Sequence, residues 1–189
     1  MGRRPSPPRP SPGRPRLSGP IASAGEVPAD PASALCLSCG LCCDGGLFSW
    51  VSLTEEDRDR LRANGLDGPD RLPHPCRHYS TPACTIYAVR PAQCCAYRCE
   101  VLKAFLDGDM QEHAAHALID RALSMRAGVS QLLPEGTTFT GFAEDMKTGA
   151  PASRSSARLP ALARFLAYRL FVERHFLSPD SHWLPREEA

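Results

Sequence analysis

Nine cysteines stand in this 189-residue chain, and eight of them fall into two facing halves of one candidate metal site. The first half is Cys36-x2-Cys39-x2-Cys42-Cys43. The second opens at Cys76, continues through Cys84 and Cys94, and closes at Cys99. Thiolate is the soft ligand that zinc and iron–sulfur clusters prefer. A spacing of two residues lets one tight turn aim two sulfurs at one ion. The cofactor this implies is zinc or iron, and iron in turn includes a 4Fe-4S cluster.

Adjacent cysteines restrict the arithmetic. Side chains at neighbouring positions diverge, so Cys42 and Cys43 do not readily meet one ion at about 2.3 Å. They point to two centres, or to one centre and a supporting thiol. Eight thiolates could build two tetrahedral zinc sites, one cubane cluster with one zinc, or one cluster with spare thiols. Cys36, Cys39 and Cys42 repeat the first three cysteines of the bacterial ferredoxin run, but Gly46 stands where a fourth would come and no cysteine precedes a proline. Several thiolates leave a negative centre, which Arg90 and Arg98 are close enough in sequence to balance. His74 and His78 flank Cys76 as substitute ligands. His113 and His116 lie on a helical face without a carboxylate in motif spacing and read as solvated.

Competing chemistries fit less of the pattern. Cys36 and Cys39 formally make a redox pair, but a dithiol enzyme needs no six further cysteines. A cysteine nucleophile would need a supporting His and Asn, and none is placed in a known signature. Disulfides are disfavoured by the odd count and by the crowding of Cys36, Cys39, Cys42 and Cys43, because a bridge needs a specific Cα separation. The N-terminus has arginines but no apolar stretch after them, so no signal peptide is expected. Nine cysteines without one point to a reducing compartment, and the expected location is the cytoplasm. No apolar run approaches the roughly 18–20 residues that span a bilayer, so a membrane is excluded as a partner. The formal charge is +1, which gives no ground for nucleic acid.

The elements that must position these thiols can be read in outline. Residues 1–34 hold nine of the nineteen prolines, five arginines and no aromatic residue, and read as a disordered tail. A cysteine domain comes next over 35–100, a helical extension of it over 101–178, and a C-terminal tail over 179–189. Leu47–Leu53 is aromatic and β-branched and predicts a short strand. Thr54 caps a surface helix that runs to about Ala63, with Glu55, Glu56 and Asp57 in its first turn. Residues 66–83 read as loop, and Cys84–Tyr87 as a brief extended piece. Pro91 suits the first turn of a helix that would carry Cys94, Cys95 and Cys99, the last two on one face. Helix is predicted from Glu100 to about Leu133, interrupted at Gly108 and Gly128, and again over Ala157–Phe176. Pro134–Ser156 is rich in Gly, Thr and Ser and reads as loop. The fold class is α+β, mostly α: a small metal-organised unit with a short strand, packed by C-terminal helices.

The whole pattern resembles the YkgJ-type cysteine-cluster family. The residues that carry the resemblance are C-x2-C-x2-C-C, a lone cysteine, Cys84-x-Ile86-Tyr87-x2-Arg90-Pro91-x2-Cys94, and a final cysteine. It covers about a third of the chain. It implies a zinc- or iron-chelating domain of bacterial type, with metal ligands at Cys36, Cys39, Cys42, Cys43, Cys76, Cys84, Cys94 and Cys99. Two departures stand out. Cys95 occupies a position where the family usually has arginine, which opens the question of whether Cys94 or Cys95 ligates. The usual C-P-F-L around the lone cysteine is Cys76-Arg77-His78-Tyr79 here. Some proteins with this pattern look like flagellin lysine methylases, so an iron–sulfur enzyme related to them is the alternative function, with a thiol-redox protein as another. No glycine-rich strand–turn–helix for S-adenosylmethionine is present, and the sequence points to no particular reaction. Residues 100–176 offer a surface for a protein partner. The cysteine unit is expected to be poorly ordered without metal, since site formation and folding are coupled.

Overall fold

The computed structural model describes residues 30–149 and 158–178. The expected tails therefore lie mostly outside the described residues. Residues 30–34 do not: they begin α1 (Pro31–Cys39), whose N-cap Asp30 accepts a bond from Ser33 N. Proline in the first turn suits a helix start, because its missing N–H has no intrahelical partner there.

Two small cores organise the rest of the described chain. The first is helical. α4 (Glu100–Leu106), α5 (Glu112–Ser130), α6 (Phe139–Thr148) and α7 (Leu159–His175) gather with α1 around Leu35, Leu41, Ile119, Phe142, Phe165 and Tyr168. The α5–α7 pair is the most extensive contact between elements. Small residues on α5, Ala115 and Ala122, are fully buried and let the larger Phe165, Tyr168 and Val172 of α7 approach. Gly128 does not interrupt α5. It sits inside the helix where Arg164 Nη1 of α7 reaches its carbonyl at 3.3 Å, so the missing side chain serves close packing rather than a break. Gly108 does separate two helices and takes a positive φ of 81°. Only part of the apolar surface expected on α7 is covered, and Leu159, Leu166 and Leu170 are exposed.

The second core is built around short strands. β1 (Trp50–Ser52) pairs antiparallel with β2 (Arg71–Pro73), Val51 opposite Leu72. β3 (Tyr79–Ser80) pairs with β4 (Ala83–Cys84) as a hairpin. α2 (Glu55–Ala63) starts with a full capping box between Thr54 and Asp57. It is not wholly a surface helix, because Leu61 and Asp57 are buried. Leu53, Leu61, Leu72, Cys76 and Ile86 form this core. The strands within 66–83 were not legible from a segment with four prolines, since two- and three-residue strands need little periodicity.

Two other differences have identifiable causes. Residues 139–148, inside the expected loop, form α6; its Thr138 cap accepts from Gly141 N, its Gly149 cap is left-handed, and Phe139 and Phe142 bury on α7. The helix after Pro91 is short: α3 (Ala92–Ala96) ends at an extended Tyr97, and Cys99 becomes the N-cap of α4. Cys95 and Cys99 therefore do not share a helical face. Among the described residues no helix is long and apolar enough to cross a membrane.

Phe142 has no exposed surface and meets the Phe165 ring edge-on at 5.5 Å. Phe142→Ala should cost about 3–5 kcal/mol in urea unfolding monitored by helical circular dichroism. A loss below about 1 kcal/mol would mean that α6 is not part of the helical core.

Candidate metal centre

The first half of the cysteine pattern is shaped by α1 and the turn after it. Gly40 ends α1 in the left-handed region at φ 63°, and its amide bonds back to Cys36 O at 3.1 Å. Its carbonyl then accepts from Cys43 N and Asp44 N at 2.8 and 2.9 Å, so the chain winds around this glycine. Any side chain here would also run into the Tyr79 hydroxyl. That hydroxyl donates to Leu37 O at 2.7 Å and ties the β3–β4 hairpin to α1. Arg126 of α5 anchors the far side of the turn by donating to Asp44 O at 3.0 Å.

The second half is fastened to the first through the backbone. Cys76 N donates to Cys43 O at 2.7 Å, and His74 N to Ser49 O at 2.9 Å. Tyr87 OH donates to Ser33 Oγ on α1 at 2.8 Å. Arg90 lies over the Tyr87 ring at 3.7 Å and donates to Tyr87 O. The Tyr, Arg and Pro of the Y-x2-R-P element thus have separate tasks. Tyr87 reaches α1, Arg90 stacks on Tyr87, and the fully buried Pro91 starts α3.

These connections place the thiols around two adjoining cavities. The larger, about 220 Å³, is lined by Cys43, Cys76, Cys84 and Cys94 together with His74 and Tyr97. The smaller, about 40 Å³, is lined by Cys39, Cys42 and Cys99 with apolar side chains. Cys36 and Cys43 border both. Electrostatic neighbours divide in the same way. Burial pushes the Cys43 thiol up, and the charges that add to the rise belong to Cys36, Cys76, Cys84 and Cys94. Burial also raises Cys42, joined by Cys36, Cys99, Cys39 and Cys43. The neighbouring thiols of the loop share Cys36 and otherwise face different company.

All nine cysteines stand as free thiols. Cys94 borders the larger cavity, whereas Cys95 is exposed with its sulfur 3.7 Å from Arg90 O. The break at Tyr97 carries Cys99 to the smaller cavity. Among the described residues, no group of three or more Cys, His, Asp or Glu side chains is disposed to hold a metal ion directly. The thiols share cavities, and a bound metal would have to draw them into its own geometry. The donor set suits such a group: four sulfurs are a complete tetrahedral set for zinc and for a cubane cluster.

His74 is buried on the larger cavity with Nδ1 3.3 Å from Phe48 O, so one ring nitrogen already has a backbone partner. His78 is half-buried and His113 is exposed. His116 pairs only at 3.9 Å with Glu112. Around Cys36, loss of hydration raises the thiol, and Arg98 and Arg90 oppose the rise, which gives these arginines the charge-balancing position expected of them. Two site residues were missed in the sequence, Tyr79 and Tyr97. Their only signal was proximity to Cys76 and Cys99.

Residues 35–117 match the family model CxxCxxCC, described as a "putative zinc- or iron-chelating domain". No curated protein and no solved structure matches the chain. That matched segment holds all nine cysteines.

Burial pushes Cys39 up to about 12 and Cys94 up to about 11, with nearby thiols adding to both. Raised pKa values keep these thiols protonated through neutral pH, so metal must expel their protons on binding. Chelator competition with zinc at about pH 6 and about pH 8 should show tighter binding at the higher pH, with protons released into a weak buffer. Affinity that does not change with pH would show that the buried thiols are not ligands.

Proposed function

We propose that this protein is a metal-binding module that holds zinc or iron in two four-thiolate centres. Cys43, Cys76, Cys84 and Cys94 form the first centre, and Cys36, Cys39, Cys42 and Cys99 the second. The observation that supports this reading is that Cys76, Cys84 and Cys94 line one cavity, Cys39, Cys42 and Cys99 line the adjoining one, and Cys36 and Cys43 border both. Cys95 stays outside both centres as a surface thiol.

When bound, the metal supplies cross-links between segments that have little core of their own. The residues supply the rest. Cys43 and Cys76 bring the two halves of the pattern together through one backbone bond, and Gly40 permits the turn that presents Cys39, Cys42 and Cys43. Arg90 and Arg98 offset negative charge near Cys36. A structural zinc contributes about 10–16 kcal/mol to folding, comparable to the net stability of a whole domain. Free thiols in this number suit a reducing compartment, and the cytoplasm is the proposed location.

The test is metal and sulfide analysis, with a visible spectrum, on full-length protein purified without oxygen. Two zinc per chain and no colour identify a zinc module. Iron with sulfide and a brown colour bleached by dithionite identify iron–sulfur centres. Cys42→Ser and Cys43→Ser should each remove metal from one centre and leave the other loaded. Protein without metal, its cysteines paired as disulfides, would overturn the proposal.

A further inference from the structure

Asp57 is 1% exposed and sits in α2, well away in sequence from every cysteine. Its carboxylate has three partners. Oδ2 accepts from Thr54 N at 3.1 Å, closing the capping box of α2. Oδ1 accepts from Ala92 N at 2.9 Å and pairs with Arg60. Arg60 in turn donates to Val89 O at 3.4 Å and to Arg90 O at 3.2 Å. One ion pair, with a buried carboxylate and a partly exposed guanidinium, therefore grips both sides of Pro91, close before Cys94 in the chain.

That grip answers a need of α3. Five residues are too few to sustain a helix alone, since nucleation fixes several residues for one hydrogen bond. Pro91 at the N-cap has no side-chain acceptor, and α3 has no side-chain cap from its own segment. Ala92 N is the first orphan donor of the helix, and Asp57 satisfies it from 35 residues away. A single carboxylate thus caps two helices, α2 beside it in the chain and α3 across the fold.

We infer that Asp57, held by Arg60, is a positioning residue for the centre that contains Cys94. The inference rests on the metal-binding reading under Proposed function and assigns one centre a support that the other lacks. Cys99 enters its cavity as the N-cap of α4, whose start is held instead by Glu100 N donating to Phe176 O at 3.1 Å. Loss of Asp57 should therefore act on one centre only. Outer partners that orient metal ligands are worth about 10–100-fold in affinity.

The experiment loads full-length protein with Co²⁺ and tracks the thiolate charge-transfer band against a competing chelator. Wild type should take up two equivalents. Asp57→Asn keeps the volume and removes the charge, and it should weaken one equivalent about 10–100-fold while the other is unchanged. Arg60→Gln should weaken the same equivalent by less. Thr54→Ala removes only the side-chain half of the α2 cap and should leave both equivalents intact. Hydrogen exchange on metal-free protein gives a second readout: Asp57→Asn should exchange faster over 92–96 and unchanged over 100–106. Equal weakening of both equivalents by Asp57→Asn, Arg60→Gln and Thr54→Ala would reduce Asp57 to a general stability role and overturn the inference. So would wild-type affinity in Asp57→Asn with unchanged exchange over 92–96. If Asp57→Asn does not fold, Arg60→Gln decides, and wild-type affinity at both equivalents in that variant overturns the inference. A wild-type chain that takes up no Co²⁺ refutes the metal-binding reading itself, and this inference with it.

Discussion

Two neighbouring residues cannot send their side chains to the same point, and the arrangement of the cysteine unit depends on that constraint at Cys42 and Cys43. The turn around Gly40 brings both to the junction of two cavities. Both thiols neighbour Cys36, and beyond it Cys42 meets Cys39 and Cys99 while Cys43 meets Cys76, Cys84 and Cys94. The Cys76 amide bonded to the Cys43 carbonyl fixes the second half of the pattern against this turn. A glycine is required at position 40 on two counts, its positive φ and the closeness of the Tyr79 hydroxyl. The tyrosine belongs to the hairpin that ends in Cys84, so the turn and the hairpin hold each other in place.

The helical layer gives this small unit a rigid backing. The strand core around Leu61 and Leu72 has few large side chains, whereas the helical core buries Phe142, Phe165, Tyr168 and Phe176 completely. α1 belongs to both parts, because it carries Cys36 and Cys39 on a segment packed against α4 and α5. Arg126 connects α5 to the loop just past Cys43, with its guanidinium also over the Phe139 ring at 4.7 Å. Residues far from the cysteines therefore decide how firmly the turn is held.

Legibility in the sequence tracked the range of the interaction. The α2 helix was legible because Thr54 and Asp57 cap it within three residues. The eight cysteines were legible because spacing and ligand chemistry are local properties. α6 was missed although Thr138 and Gly149 mark its ends, because Gly, Thr and Ser between long helices resemble a loop until Phe139 and Phe142 find α7. The end of α3 has no breaker in its sequence. Tyr97 leaves helical conformation where its ring meets Phe48 edge-on at 4.9 Å and its hydroxyl reaches Phe176 O, contacts that no local pattern announces. The second task of Asp57 was hidden for the same reason, since Ala92 is remote in sequence. Gly128 reads as an interruption because a lone glycine signals a break unless a neighbouring helix needs its space.

The break at Tyr97 places Cys94 and Cys99 on opposite sides of a very short tether. Five peptide steps can span at most about 18 Å, and between the two cysteines Tyr97 is extended. The helical residues 94–96 rise only about 1.5 Å each, so the stretch stays well short of that limit. The slack lets the chain at either cavity adjust without pulling on the other. A short helix with an extended exit thus acts as a loose hinge between two neighbouring pockets.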